Sequence, residues 1–146
     1  MANNRTLTAA NAIILLSVAG LFDVATRIQG FSADDITDTD AIEPTETSIG
    51  IDGRLSAGYA PVSVRQNITL QADSLSNDLF ENWASAEATL RDKYVASGTI
   101  IIPATARKYD LTRGFLRGFM VMPSLKKTLQ PRRYTIEWER VTPAPY

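Results

Sequence analysis

The clearest pattern along the chain is a change of period within residues 62–94. From Val62 to Ala72 every second residue is apolar except Gln66, and the residues between them are polar. A period of two predicts a strand with one buried face and one wet face. Beyond it the apolar spacing becomes helical. This predicts one amphipathic α-helix over about residues 76–94, with Ser74 or Ser76 as N-cap and Gly98 as the break after it.

The apolar stripe of this helix has to be buried, because a lone helix in a small β protein has no other way to shield it from water. We therefore expect the stripe to pack on the sheet without a chemical role. The helix side chains predicted to lie in this core are Leu79, Phe80, Trp83, Leu90 and Tyr94.

Shorter apolar runs predict strands on both sides of the helix. They cover residues 12–18, 24–31, 99–102, 108–111, 115–122 and 132–141, with a turn at Arg113-Gly114. Two prolines in residues 142–146 predict a tail that does not extend the sheet, and residues 1–11 are expected to form an arm. Hairpin-length links predict one mainly β domain over residues 1–146, an antiparallel β-sandwich or barrel with one flanking α-helix.

Residues 32–60 interrupt this order as a long loop or hairpin. Seven acidic residues and no Lys or Arg lie between Ile28 and Gly53, and Asp52-Gly53 is a typical hairpin turn. Residues 91–140 hold eleven basic residues against four acidic ones, although the net charge of the whole chain is only −1. This polarity is typical either of two solvated patches or of copies that join head to tail, acidic loop to basic side.

The composition argues against catalysis, metal binding and membrane insertion. The 146 residues suffice for one domain with a core, but they include neither cysteine nor histidine, so disulfides and the commonest general base are excluded. The segment Asp38–Glu43 lacks the glycine of a calcium loop, and no nucleophile stands beside a base. The apolar run 12–22 is shorter than the roughly 20 residues that span a bilayer. We expect a protein that is not an enzyme, with no metal, no cofactor and no membrane partner.

Seven short segments indicate a protein family more specifically together than any one of them does alone. They are Arg27–Phe31, Gly50–Tyr59, Ile68–Ser74, Phe80–Trp83, Ile101–Pro103, Tyr109–Gly114 and Pro123–Lys127. Together, from about residue 12 onward, the chain resembles the tail tube protein of contractile-tailed, myovirus-type bacteriophages.

The resemblance implies a structural virion protein whose hexameric rings stack into a hollow tube. The sheets of neighbouring protomers would join into one continuous β-barrel around a lumen. That lumen would hold the tape measure protein and later conduct genomic DNA without sequence-specific contacts. The tail sheath protein would grip the outside, with baseplate and tail terminator proteins as further partners. The protein would reside in the phage tail of the virion, after assembly in the host cytoplasm.

Two sets of residues are expected to serve such a tube. The long acidic loop is predicted to form the ring-to-ring interface, through Asp34, Asp35, Asp38, Asp40, Glu43, Glu46, Ile49, Ile51, Asp52, Arg54 and Tyr59. The wet face of the strand at residues 62–72 is predicted to face the lumen, through Ser63, Arg65, Asn67, Thr69 and Gln71. Because DNA has to slide past this wall without sticking, we expect an acidic partner beside Arg65.

Two alternatives stay open at the level of the sequence. One is a monomeric or dimeric β-sandwich binding module whose acidic loop binds calcium. The other is the tube of a phage-like contractile injection system that carries no genome.

Overall fold

This computed structural model describes residues 11–31 and 36–146. Within them the chain forms nine strands, one α-helix and one short 3-10 helix. The strands are β1 (Ile13–Val18), β2 (Phe22–Ile28), β3 (Thr37–Thr39), β4 (Thr45–Ile49), β5 (Leu55–Tyr59), β6 (Val64–Leu70), β7 (Ala96–Ile102), β8 (Arg107–Phe119) and β9 (Arg132–Pro145). The α-helix α1 spans Ser76–Leu90, and the 3-10 helix spans Pro103–Thr105.

Seven of these strands form one antiparallel sheet in the order β2-β1-β7-β8-β9-β6-β3, and β4 and β5 form a separate two-stranded sheet. The predicted mainly β fold with one flanking helix is confirmed. The seven-stranded sheet is open in the described residues and is not closed into a barrel. The arms expected at residues 1–11 lie almost wholly outside the described residues.

The period of two in β6 decides which face of the sheet is buried. Ile68 and Leu70 are buried, and so is Gln66, the one polar residue of that series. The Gln66 side chain accepts a hydrogen bond from Trp138 Nε1 (2.9 Å) and donates one to Thr37 Oγ1 (3.0 Å). Because both ends of the amide are satisfied, this polar group ties β9 and β3 to β6 instead of destabilising the core.

Helix α1 lies on this buried face and contributes two large aromatic side chains. Phe80 and Trp83 are buried, and the Phe80 ring stacks on Tyr134 with 4.2 Å between ring centroids. The Tyr134 hydroxyl donates to Asn77 Oδ1 (2.8 Å), and burial raises the pKa of Tyr134 to about 12. The hydroxyl therefore remains a donor at neutral pH, and it fixes the first turn of the helix to β9. No helix in the described ranges is long and apolar enough to cross a membrane.

The helix ends four residues before the predicted position. Arg91 adopts a left-handed backbone conformation (φ 55°), and the predicted break, Gly98, lies inside β7 instead. The cause is Glu87, a buried carboxylate that accepts hydrogen bonds from Trp83 Nε1 (3.2 Å), the Tyr94 amide (3.1 Å) and Lys93 Nζ (3.0 Å). These bonds fold residues 91–94 back along the last turn.

This early ending changes the predicted helix core. Leu90 is 61% exposed, so its predicted place in the core of the protomer is wrong. Leu79 and Tyr94 are half-buried against the core. At the other end, Leu75 is the N-cap residue without a side-chain cap, although Ser74 Oγ accepts a hydrogen bond from the Ser76 amide (3.2 Å).

The expected turn at Arg113-Gly114 is a β-bulge within one long strand, β8. The pairing with β7 shifts between Gly98↔Leu111 and Ala96↔Gly114, and Arg113 has a positive φ of 45°. A bulge inserts an extra residue and bends the strand without ending it. Glycine is required at 114 because a Cβ there would overlap the Trp138 ring.

The expected tail is also wrong, because residues 142–145 continue β9. Pro143 pairs with Tyr109 and Pro145 with Arg107 on β8. The pairing of β9 with β6 ends at Trp138, so among the described residues the prolines lie where β9 has a strand on one side only. The Tyr146 amide donates to Ala106 O (3.1 Å), so the backbone N–H groups of even-numbered residues here point to β8. The odd-numbered positions point to the unpaired side, and there Pro143 and Pro145 have no N–H to leave unsatisfied.

The aromatic contact between helix and sheet gives the first testable prediction. Trp83→Ala removes a fully buried indole, and we expect it to lower the free energy of unfolding by about 3–5 kcal/mol. Leu90→Ala, on the same helix but exposed, should change it by no more than about 0.5 kcal/mol. Urea unfolding followed by tryptophan fluorescence and circular dichroism measures both values. Equal losses for the two variants would contradict this packing.

Candidate functional site

The outward side of β6 carries the residues that were expected to face a lumen. Arg65, Asn67 and Thr69 lie on the opposite side of the strand from its buried residues, and Ser63 and Gln71 are exposed just beyond its two ends. We call this side of β3, β6, β9 and the adjoining end of β8 the polar face.

Hydrogen bonds cross three strands of the polar face. Thr135 Oγ1 on β9 donates to Asn67 Oδ1 (2.9 Å), and Asn67 Nδ2 donates to Asp38 Oδ1 on β3 (2.8 Å). The Asp38 carboxylate also lies 3.8 Å from Arg133 Nη2. These contacts fix short side chains in a flat, ordered wall, and they place Asp38 on the polar face although it was predicted at the ring-to-ring interface.

Glu137 is the acidic partner that was expected for Arg65. Its Oε1 accepts from Arg65 Nε at 3.3 Å and also lies 3.3 Å from Arg117 Nη1. All three side chains are partly exposed, and such ion pairs add only about 0–1 kcal/mol to stability. These ion pairs mainly lower the positive electrostatic potential of the polar face, because one carboxylate offsets two guanidinium groups there.

The hairpin β4–β5 stands apart from the main sheet. Gly50 and Arg54 close a three-residue loop, in which Gly53 has the positive φ (84°) that Asp52-Gly53 predicted. All ten residues of the two strands are exposed, including Ile49 (70%) and Tyr59 (82%). An isolated two-stranded hairpin is at best marginally stable in water, and exposed apolar groups in series mark an interaction surface.

Most of the predicted ring-to-ring residues lie on this hairpin or on the segment that leads into it. Glu46, Ile49 and Tyr59 belong to its strands, Ile51, Asp52 and Arg54 to its loop, and Asp40 and Glu43 to the segment before it, all of them exposed. Asp34 and Asp35 lie outside the described residues.

The two outer strands of the main sheet leave backbone groups without a strand partner in the described ranges. β2 pairs only with β1, and five of its seven residues are exposed. β3 pairs only with β6, at the other end of the order. Such edges are usually covered or joined to another chain.

The connection between β8 and β9 lies between the last two strands that the sequence predicted, and no site was assigned to it. In the structure, residues 120–131 form a protrusion that we call the basic loop. It exposes Val121, Met122, Leu125 and Leu129 next to Lys126 and Lys127. The sequence pattern that could have revealed it is four large apolar residues in a segment with neither helical nor strand period.

The acidic segment offers no metal site within the described residues. No group of three Asp, Glu, His or Cys side chains in residues 11–31 and 36–146 is arranged to hold a metal ion. The Asp38 carboxylate is engaged by Asn67 instead. The calcium-binding alternative therefore gains no support from this part of the chain.

A family model described as "Tail fiber protein gp32" matches residues 5–142. No curated protein sequence matches the chain significantly.

Several solved structures share the fold. A chain of the anti-feeding prophage cap (AFP tube terminating cap) has a TM-score of 0.60 and 14% identity, over 100% of this chain and 95% of that one. A chain of the sheath/tube terminator of the extracellular contractile injection system PVC has a TM-score of 0.62 and 14% identity, over 98% and 99%. A chain of the PVC sheath-tube complex has a TM-score of 0.56 and 15% identity, over 91% and 88%. With the family match, the resemblance to a contractile-tail tube-type protein is confirmed.

The shared carboxylate of the polar face gives the second prediction. Glu137→Gln leaves Arg65 and Arg117 without a counter-charge, so the protein should bind polyanions more strongly. We expect it to elute from a heparin column at higher salt than the wild type. Glu139→Gln is the control, because it makes the same change of net charge at an exposed residue of the same strand. Equal elution of the two variants would show that the Glu137 contacts do not govern the field of this face.

Proposed function

The chain belongs to the tail fiber protein gp32 family, and from that premise we propose that it is the tube subunit of a contractile phage tail, built as hexameric rings that stack. It is a structural component of the tail of a virion or phage-like particle, and not an enzyme. The observation that carries the finer proposal is the hairpin β4–β5, which exposes all its strand residues, apolar ones included.

Ring closure accounts for the two open edges of the sheet. In a ring, the β2 edge of one protomer joins the β3 edge of its neighbour, and the backbone groups of both edges are satisfied. Repeated around a six-fold axis, this joins the sheets into one barrel. The helix lies on the buried face, so the polar face is the side left to line the lumen.

The polar face has the chemistry that such a lumen needs. Short hydroxyl and amide side chains, Asn67, Thr69 and Thr135 among them, leave a smooth wall. The two carboxylates of Asp38 and Glu137 offset most of the charge of three arginine residues on that wall, so the wall holds neither DNA in transit nor the tape measure protein strongly by charge. The tail sheath protein grips the outer surface of the tube, and baseplate and terminator proteins cap its ends.

The hairpin is the ring-to-ring connector in this proposal. Its acidic residues give specificity for a basic surface, and its apolar residues give most of the affinity, since exposed ion pairs are individually weak. Contacts with the next ring supply the burial that a free hairpin lacks.

A tube terminator is the second candidate, because the chain and the PVC sheath/tube terminator chain cover each other almost completely. A terminator ends a stack, whereas a tube subunit continues it. Electron microscopy of the purified chain separates the two: long tubes support the tube subunit, and single rings that never lengthen support the terminator.

Shortening the hairpin gives the third prediction. Replacing residues 47–57 by Asn-Gly connects Glu46 to Gly58, which are paired in the hairpin, through a two-residue turn and leaves β3 in the main sheet. We expect folded protomers or single rings that fail to stack, because the connector is gone. Circular dichroism checks the fold, and sedimentation with negative-stain microscopy measures the assembly.

Two double variants separate the contribution of the apolar residues to stacking from that of the acidic residues. Ile49→Ser with Leu55→Ser removes an apolar cross-strand pair, and Glu43→Gln with Glu46→Gln removes two charges. The apolar change should raise the concentration needed for stacking more than the charge change does, and high salt should weaken stacking only in part. If the shortened chain still forms long tubes, the hairpin is not the connector.

A further inference from the structure

An apolar groove opens at the end of the main sheet where β6 begins. Its wall is formed by Val64, Ile100, Ile102, Tyr109, Leu111 and Val141, and its volume is about 540 Å³. Asp40 and Ile42 lie along its rim, and Glu43 follows them in the chain. The groove is thus apolar at its base and acidic at one edge.

The basic loop has the opposite character. It presents Met122 and Leu125 to solvent (65% and 73% exposed), followed directly by Lys126 and Lys127. An apolar tip next to two ammonium groups is the complement of an apolar groove with an acidic rim.

The basic loop is also held in one shape before any partner binds. The buried guanidinium of Arg132 donates to Met120 O (2.9 Å) and Val121 O (3.1 Å) and forms an ion pair with Glu81 on α1. The Gln130 amide donates to Ser124 O (3.1 Å) across the loop. Preorganisation of this kind lowers the entropy lost on binding.

The groove and the basic loop lie at opposite ends of the same strand. β6 begins at Val64, in the wall of the groove, and ends at Leu70, after which Gln71 and Asp73 adjoin Leu129 of the basic loop. Seven residues of strand separate the two surfaces by about 20 Å. Two complementary surfaces at opposite ends of one molecule make a contact that is heterologous and repeats from copy to copy.

We propose that the basic loop of one copy docks in the apolar groove of the next, with Met122 and Leu125 in the groove and Lys126 and Lys127 against Asp40 and Glu43. The inference rests on the proposed tube function and names the surface that receives each successive ring. The hairpin leaves the sheet between β3 and β6, at the groove end. Hairpin and groove therefore both face the same neighbouring copy and act together.

Charge reversal tests the contact. Asp40→Lys with Glu43→Lys, and separately Lys126→Glu with Lys127→Glu, should each raise the concentration required for stacking by roughly tenfold or more, since like charges then face each other. An equal mixture of the two variants should assemble again, because each contact in an alternating stack then pairs opposite charges. The four substitutions combined in one chain should restore self-assembly in the same way. Variants that stack as the wild type does, or folded variants whose mixture does not recover, would overturn the proposal.

Cross-linking tests it independently of tube formation. The chain has no cysteine, so Ile42→Cys with Leu125→Cys introduces the only thiols. Under mild oxidation we expect a ladder of disulfide-linked multimers. Leu90→Cys with Leu125→Cys is the control, because Leu90 is more exposed than Ile42 (61% against 43%) but lies on the helix, and it should give no ladder. Disulfide-linked multimers without tubes would support the docking contact and contradict the proposed tube function. Tubes without disulfide-linked multimers would support the tube function and contradict the docking contact.

Discussion

The stacking of Phe80 on Tyr134 determines which face of the main sheet is buried and which is exposed. It fixes helix α1 to one face of the seven-stranded sheet, and the buried hydrogen bond from Tyr134 to Asn77 sets where along β9 the helix begins. Because strand side chains alternate, burying one face assigns every residue of the other face to water. The ordered wall of Asn67, Thr135 and Glu137 is thus a consequence of where two aromatic rings meet on the opposite side.

The sequence was most informative where one face of an element is dry and the other is wet. The strand at Val64–Leu70 and the existence of the helix followed from their periods, and Asp52-Gly53 correctly located a hairpin turn. The acidic partner of Arg65 was predicted from the requirement that the wall not be strongly basic. The ring-to-ring and lumen roles of these residues stay predictions.

The wrong predictions share a physical cause, which is that the deciding contact is not visible in the period of the segment itself. Arg113-Gly114 has the backbone preferences of a turn, but those are also the preferences of a bulge, and only the neighbouring strand β7 distinguishes them. Leu90 fits the helical stripe, yet the hydrogen bonds of Glu87 to residues beyond the helix turn the chain away before that position is covered. The basic loop was overlooked because exposure of apolar residues has no period.

Pro143 and Pro145 bear on how this protein avoids unwanted polymers. On the unpaired side of β9, beyond its pairing with the first residue of β6, neither proline offers an N–H to an incoming strand. A foreign chain therefore cannot extend the sheet there by backbone pairing, although the adjacent groove is apolar and accessible. That end of the molecule admits side chains but gives no template for a strand. Recognition at this end of the sheet therefore depends on the shape of the partner, and backbone pairing does not continue from it as amyloid-like growth.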